Sequence, residues 1–94
     1  MKIVYRMIER TNTEKETLPT YYGIGAYLYD NEKRTYITLK EIHDITEDKN
    51  RLLNLVQKCN KYELSLVHIH DIVEDFLYEL AHTQTEIYNN SLTK

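Results

Sequence analysis

The sequence predicts an α+β fold, a three-stranded antiparallel meander followed by two helices packed on one face of the sheet (βββαα). Two patterns support this prediction. Apolar and polar residues alternate within residues 1–40, as they do in half-buried strands. From position 46 onward the apolar residues recur every three to four positions, as they do in amphipathic helices. The 94 residues fit one domain, which we expect to span 1–94.

The first strand is expected over residues 1–8, where Ile3, Tyr5 and Met7 share one face. Residues 9–20 are polar, include the single proline, and are typical of a long connection.

The second strand is expected over residues 21–29, with Tyr22, Ile24, Ala26 and Leu28 on one face. Gly23 and Gly25 share the other face with Tyr21, Tyr27 and Tyr29. Glycines in that position indicate a bulge, or a place where another backbone or an aromatic ring lies close.

A turn over residues 30–33 joins this strand to a third strand over residues 34–40, so that the two form a hairpin. Ile37 and Leu39 are expected on the inward side. The sheet face that carries no helix is rich in Tyr and Lys and must be solvated or covered by a partner.

The first helix is expected over residues 46–61, with Thr46 as N-cap and with Glu47 and Asp48 in the first turn, where acidic groups favour the helix dipole. Cys59 falls on its apolar stripe, which favours a buried and inert thiol.

The second helix is expected over residues 66–88, capped by Ser65. Its apolar stripe shows the strongest periodicity in the chain and consists of Ile69, Ile72, Val73, Phe76, Leu77 and Leu80.

Composition argues against several classes of function. The net charge is −3 and the basic residues are scattered, whereas a nucleic-acid-binding protein usually has a basic stripe, so we expect no direct nucleic-acid contact. A single cysteine suits a reducing cytoplasm. No apolar run has the length of a membrane span, so we expect a cytoplasmic protein without membrane contact. We find no phosphate loop, nucleophile elbow or CxxC motif, and therefore expect no enzyme and no cofactor.

Two clusters could nevertheless carry function. His68, His70 and Glu74 offer metal-ligating groups, and His70 and Glu74 share a helix face. His68 and His70, however, would point about 200 degrees apart on a helix, which favours a solvated face over a metal site.

The second cluster is an acidic face on the second helix, formed by four carboxylates and one tyrosine. It could mimic phosphates or dock into a basic groove, although most charge runs are simply solvated. Its members are Asp71, Glu74, Asp75, Tyr78 and Glu79.

Three segments carry a resemblance to a known family: residues 22–24 (Tyr-Gly-Ile), 42–46 (Ile-His-Asp-Ile-Thr) and 64–77. The third reads Leu-Ser-x-x-His followed by Asp-Ile-Val-Glu-Asp-Phe-Leu and is the most specific. Over roughly residues 21–77 the chain resembles a family of short bacterial proteins of unknown function. The resemblance implies no activity. It implies that His68, Asp71 and Asp75 act together as a structural junction, with the histidine bonded to a carboxylate or to loop backbone.

These observations favour a non-enzymatic protein-binding module whose partner is another protein or a second copy of the chain. The contact face is expected to include Tyr27, Tyr29 and Tyr36, because tyrosine supplies large contact area with a polar tip. One alternative is a phage or mobile-element inhibitor of a host nuclease, such as a CRISPR effector, whose basic groove the acidic face would occupy. The other is a metal-binding protein.

Overall fold

A computed structural model describes residues 2–10 and 20–92, with side chains described as far as residue 82. The chain forms three antiparallel strands in the sheet order β1-β2-β3, followed by two helices, which confirms the predicted α+β architecture. A single 3-10 turn precedes the second helix. The elements are β1 (Ile3–Arg10), β2 (Tyr21–Asp30), β3 (Thr35–Thr46), α1 (Lys49–Lys61), the 3-10 turn (Leu66–His68) and α2 (Ile69–Leu92).

The strands run longer than the sequence pattern indicated. Glu9 and Arg10 belong to β1 rather than to the connection, of which residues 11–19 lie outside the described part of the chain. The predicted end of the third strand at residue 40 is wrong, because β3 continues to Thr46 and Ile42 pairs with Ile24. Two register shifts along β3 explain the error, since each bulge breaks the alternation by which a strand is recognised.

The extension of β3 also moves the start of the first helix. Thr46 is the last residue of β3, so the prediction that it caps the helix is wrong. The N-cap is Asp48, whose carboxylate accepts a hydrogen bond of 3.1 Å from the backbone N–H of Arg51. The Thr46 hydroxyl instead accepts one from the Asp48 N–H at 3.1 Å. The first turn of α1 consequently contains no acidic residue.

The second helix begins later than predicted. Leu66–His68 form a 3-10 turn, and α2 itself starts at Ile69. Ser65 precedes the turn without donating or accepting a side-chain capping bond. No helix within residues 2–10 and 20–92 combines the length and apolarity that crossing a membrane would need.

The β2–β3 hairpin closes through Asp30, as expected. Its carboxylate accepts hydrogen bonds from the backbone N–H groups of Glu32 and Lys33 at 2.9 and 3.3 Å, and Arg34 completes the turn with φ 51°. Ile37 was expected to be inward, but it is 43% exposed. It pairs with Leu28 near the hairpin, whereas the core is centred farther along β2, on Ile24 and Ala26.

The core lies between the inward face of the sheet and the two helices. The face of β1 that carries Ile3, Tyr5 and Met7 and the face of β2 that carries Ile24 and Ala26 meet the helices there. From α2, Ile69, Ile72 and Val73 reach this core, whereas Leu77, which the sequence placed on the same apolar stripe, is 42% exposed. Cys59 is 4% exposed, and burial raises the pKa of its thiol. The buried residues are Tyr5, Ile24, Ala26, Leu52, Val56, Cys59, Ile69 and Val73.

Tyr5 joins the edge strand β1 to the end of α1. Its backbone N–H donates to Oδ1 of Asn60 at 2.7 Å, and its carbonyl accepts from Nδ2 of Asn60 at 2.8 Å. The side-chain amide therefore pairs with the strand as a neighbouring backbone would. The Tyr5 hydroxyl also donates to the carbonyl of Leu64 at 2.6 Å. We call these three bonds the Tyr5 clamp.

The C-terminal turn of α1 holds both partners of Tyr5 in place. Glu63 adopts the left-handed conformation (φ 50°). The N–H of Leu64 donates to the carbonyl of Cys59 at 2.9 Å, and the N–H of Glu63 donates to the carbonyl of Asn60 at 3.3 Å. This is the Schellman arrangement that commonly ends helices. It places Asn60 in the last turn and Leu64 just beyond it, on the same side of the strand.

We expect Asn60→Ala to lower the free energy of unfolding by about 1–3 kcal/mol, because two backbone groups of Tyr5 lose their partners in a partly buried setting. Urea unfolding followed by circular dichroism measures the change. The exposed Gln57→Ala on the same helix is the control and should stay within about 0.5 kcal/mol of the unsubstituted protein. Equal effects of the two substitutions would contradict the clamp.

Alkaline pH should also weaken the fold at this point. The pKa of Tyr5 is raised above its ordinary 10.0, first by burial and then by the nearby Cys59, and burial raises that of Cys59 above 9.0. The folded state holds both groups neutral, so their stabilising contribution is complete below pH 9 and is lost as the pH rises through the raised pKa values.

The matching experiment is urea unfolding at several pH values from neutral upward. In Tyr5→Phe the Leu64 carbonyl loses its donor, so stability should be lower at neutral pH. The further loss above pH 10 should be smaller than in the unsubstituted protein, because one titrating group is gone. Parallel pH curves for the two proteins would be evidence against this account.

Candidate functional site

The side of the sheet that is turned away from the helices carries a surface of polar and aromatic side chains that contact one another. We call it the outer face and define it by Arg6 on β1, Tyr27 and Tyr29 on β2, and Tyr36 and Glu41 on β3. Strand alternation places these side chains opposite the core residues of the same strands.

Three of these residues form one stack. Tyr29 and Tyr36 are directly opposed across β2 and β3, and their rings meet edge to face with centroids 5.1 Å apart. The guanidinium carbon of Arg6 lies 4.6 Å from the centroid of the Tyr36 ring, a cation–π contact. Tyr29 and Tyr36 are still 42% and 43% exposed. The stack is therefore ordered by internal contacts while much of its aromatic surface faces solvent.

A second group lies beside the stack. The Tyr27 hydroxyl donates to Oε2 of Glu41 at 2.9 Å, and Nε2 of His43 lies 3.5 Å from the other oxygen of the same carboxylate. Burial, followed by the hydrogen bond to Glu41, raises the pKa of Tyr27. The Glu41 and His43 side chains are 37% and 49% exposed. Their contact is therefore partly screened by water.

The glycines of β2 make this geometry possible. A Cβ at Gly25 would collide with the hydroxyl end of Tyr27, whose ring lies along the strand and so reaches Glu41, the cross-strand partner of Gly25. A Cβ at Gly23 would collide with the backbone carbonyl of Ile42. The close approach of an aromatic ring and of a backbone, both expected from the sequence, is confirmed, as is a bulge beside Gly23.

The acidic face predicted on the second helix is present as an exposed surface of α2. Asp71, Glu74, Asp75, Tyr78 and Glu79 are all exposed. The Tyr78 ring packs against that of His82, with centroids 3.9 Å apart.

The remaining sequence candidates lie at the start of α2. His68 ends the 3-10 turn and its N–H bonds the Ser65 carbonyl at 3.0 Å, while its side chain and that of Asp71 are exposed. Their role as a structural junction stays a prediction. In the described part of the chain, no three His, Cys, Asp or Glu side chains are grouped as metal ligands are, so His68, His70 and Glu74 gain no geometric support as a site.

Sequence reasoning missed Arg6, Glu41 and His43. Glu41 and His43 are two residues apart and share a face, but unbroken alternation would place them with Ile37 and Leu39. The register shift between Thr38 and Lys40 moves them to the face that carries Tyr36. No sequence signal pairs Arg6 with Tyr36, which lies on the far edge strand.

Comparison with known proteins adds a family and no activity. The model of a family of unknown function (DUF6514) matches residues 1–79. This supports the expected resemblance to an uncharacterised family, whereas the particular 64–77 segment and a bacterial origin stay predictions. No curated protein and no solved structure matches the chain.

Gly25→Ala should displace Tyr27 from the outer face, because the added methyl needs the space of the ring end. We expect a loss of about 1–3 kcal/mol in unfolding free energy, as for overpacking. The pKa of Tyr27, followed by ultraviolet titration or NMR, should move down toward its ordinary value, since the bond to Glu41 is broken. The same glycine substitution in a Tyr27→Ala background removes the collision and should cost much less. An equal cost in both backgrounds would show that the ring is not what Gly25 accommodates.

Proposed function

Because the chain belongs to this family of unknown function (DUF6514), no activity comes to it by kinship, and we propose from its own geometry that it is a protein-binding module without a reaction of its own. The proposed contact surface is the outer face. The observation that carries the proposal is the Arg6–Tyr36–Tyr29 stack.

The composition of this stack is that of an interface hot spot. Tyrosine and arginine are the residues whose truncation most often costs binding energy at protein interfaces, and they cluster at the centre of the contact. Here Tyr29 and Tyr36 are cross-strand partners, and Arg6, which pairs with Gly25 farther along the sheet, reaches the Tyr36 ring with its side chain. A partner surface that is apolar with a few hydrogen-bond acceptors would match them, because the tyrosine hydroxyls and the guanidinium can donate.

The stack is also held in place before any partner arrives. Binding normally costs about 0.5–1.5 kcal/mol for each flexible side chain that it immobilises. The edge-to-face contact of Tyr29 with Tyr36, and the position of Arg6 over Tyr36, restrict these side chains already. The Tyr27–Glu41 hydrogen bond does the same beside them. The ordering cost of association is correspondingly lower.

A nuclease inhibitor is a second candidate, and one observation favours it: α2 bears exposed carboxylates and no Lys or Arg. Such a helix could occupy a basic groove of a nuclease. Neutralising Glu74, Asp75 and Glu79 together to Gln, Asn and Gln should then weaken binding to a purified nuclease in a salt-dependent way. Unchanged affinity would remove this candidate.

The outer-face proposal is tested with the tagged full chain as bait in lysate of its native host, followed by mass spectrometry of the retained proteins. The variant Tyr29→Ser with Tyr36→Ser should lose a partner that the unsubstituted chain retains. We expect an affinity loss of at least about tenfold once that partner is purified.

The control is Tyr62→Ser, which removes a tyrosine that is 71% exposed and lies at the end of α1, away from the outer face. It should retain the partner. A partner retained equally by all three baits would place the binding surface elsewhere, and the absence of any specifically retained protein would count against a binding module.

A further inference from the structure

The two helices carry charges of opposite sign. α1 contains four basic residues and no acidic one: Lys49, Arg51, Lys58 and Lys61. α2 contains five acidic residues and neither Lys nor Arg: Asp71, Glu74, Asp75, Glu79 and Glu86. A net charge of −3 for the chain conceals this separation.

A groove of about 400 Å³ runs between the helices. Its floor is apolar and only partly buried, and it is formed by Leu55, Ile72, Phe76 and Leu80. Arg51 and Lys58 line the α1 side, together with Asn54, and Glu79 lines the α2 side. The groove is therefore an apolar strip with a basic wall along one side and an acidic wall along the other.

Helical spacing aligns the cations of the basic wall and extends the acidic wall by one residue. Arg51 and Lys58 are seven residues apart, about two turns, so they point to the same side of α1. Asp75 precedes Glu79 by one turn on the same side of α2. Lys49 and Glu74 point away from the groove. Around its own helix axis, each lies about 140–200 degrees from the groove residues that are nearest to it in sequence, which places it on the opposite side of the helix.

The apolar strip continues past the point where the core ends. Val73 is the last buried residue of α2 within the described side chains. One and two turns later, respectively, Phe76 and Leu80 are only partly buried, and Leu77 is 42% exposed. Within the part of the chain whose side chains are described, the helix thus offers apolar surface that the core does not cover.

We propose that this groove is the contact surface for a second copy of the chain, with the basic wall of each copy facing the acidic wall of the other. Symmetry makes the match possible. Rotation about a two-fold axis that runs along the groove brings α1 of one copy opposite α2 of its partner, so both pairs of walls are of opposite charge and the apolar floors meet. An axis across the groove would instead oppose like charges.

This charge arrangement is the reason to assign a second copy rather than an unrelated helix. A surface with opposite charges on its two sides is complementary to a rotated copy of itself. The partner is the same protein, so it is present at the concentration of the chain. The groove shares no residue with the outer face, so this inference is independent of the proposed function and each can fail alone.

The test uses the full chain and two charge reversals, Lys58→Glu and Glu79→Lys. Sedimentation equilibrium at low salt should show the unsubstituted chain as a dimer. Each variant alone should dissociate at least about tenfold more easily, because two attractive contacts in the dimer become repulsive. An equimolar mixture of the two variants should recover the dimer. In the mixed dimer one contact joins the two introduced side chains, which have opposite charges, and the other contact keeps the original pair.

Matched controls separate the groove from the general charge of the helices. Lys49→Glu and Glu74→Lys make the same charge changes on the same helices outside the groove and should leave the dimer intact. Circular dichroism and urea unfolding check that every variant is folded. The outer-face variant Tyr29→Ser with Tyr36→Ser should also remain dimeric.

Three results would overturn the inference. The first is an unsubstituted chain that stays monomeric at hundreds of micromolar. The second is a mixture of the two reversed variants that stays monomeric while both are folded. The third is a control variant that weakens the dimer as much as its groove counterpart does.

Discussion

The Tyr5 clamp is the constraint on which the arrangement of the rest depends. β1 is an edge strand, and an edge strand presents unpaired backbone groups that need a partner. The Asn60 amide supplies both a donor and an acceptor at Tyr5, so the last turn of α1 completes the sheet at that point. Tyr5 and Asn60 are 55 residues apart in the sequence, so their bonds join two distant elements. Because one side-chain amide makes both bonds, the clamp fixes the position and the rotation of α1 against the sheet.

Much of this fold could be predicted from the sequence, for physical reasons. In β2 the inward residues alternate without interruption, so the strand and its two faces could be predicted. The glycines of β2 indicated that a ring or a backbone lies close to them, which could be predicted as well. In β3 two bulges shift the register, and the alternation fails where Glu41 and His43 lie. The start of α1 was misplaced as a consequence, because Thr46 can end a strand as well as cap a helix. Asn60 could not be recognised, since a polar residue in the last turn of a helix is ordinary unless the strand beside it is known.

The two sides of β2 contribute to two different parts of the structure, the core and the outer face. In β2, the residues that point inward are packed by the helices, and the glycines that alternate with them leave space on the other side. Tyr27 uses that space at Gly25, and the bulge in β3 uses it at Gly23. A larger residue at position 25 would displace the ring of Tyr27, and one at position 23 would displace the backbone of β3. The ordered surface of aromatic and charged groups therefore depends on the absence of two side chains as much as on the tyrosines themselves.

The same clamp also decides which side of α1 is left for contact. Asn60 points to β1, and Lys58, two residues earlier, points about 200 degrees away around the helix axis. Because Asn60 is fixed against β1, Lys58 and Arg51 lie on the side of α1 that borders α2. There they form the basic wall of the groove. The acidic residues of α2 then form the opposite wall. A rotation of α1 that freed Asn60 would remove the cations from the groove, so the edge of the sheet and the charge pattern between the helices are coupled through one side chain.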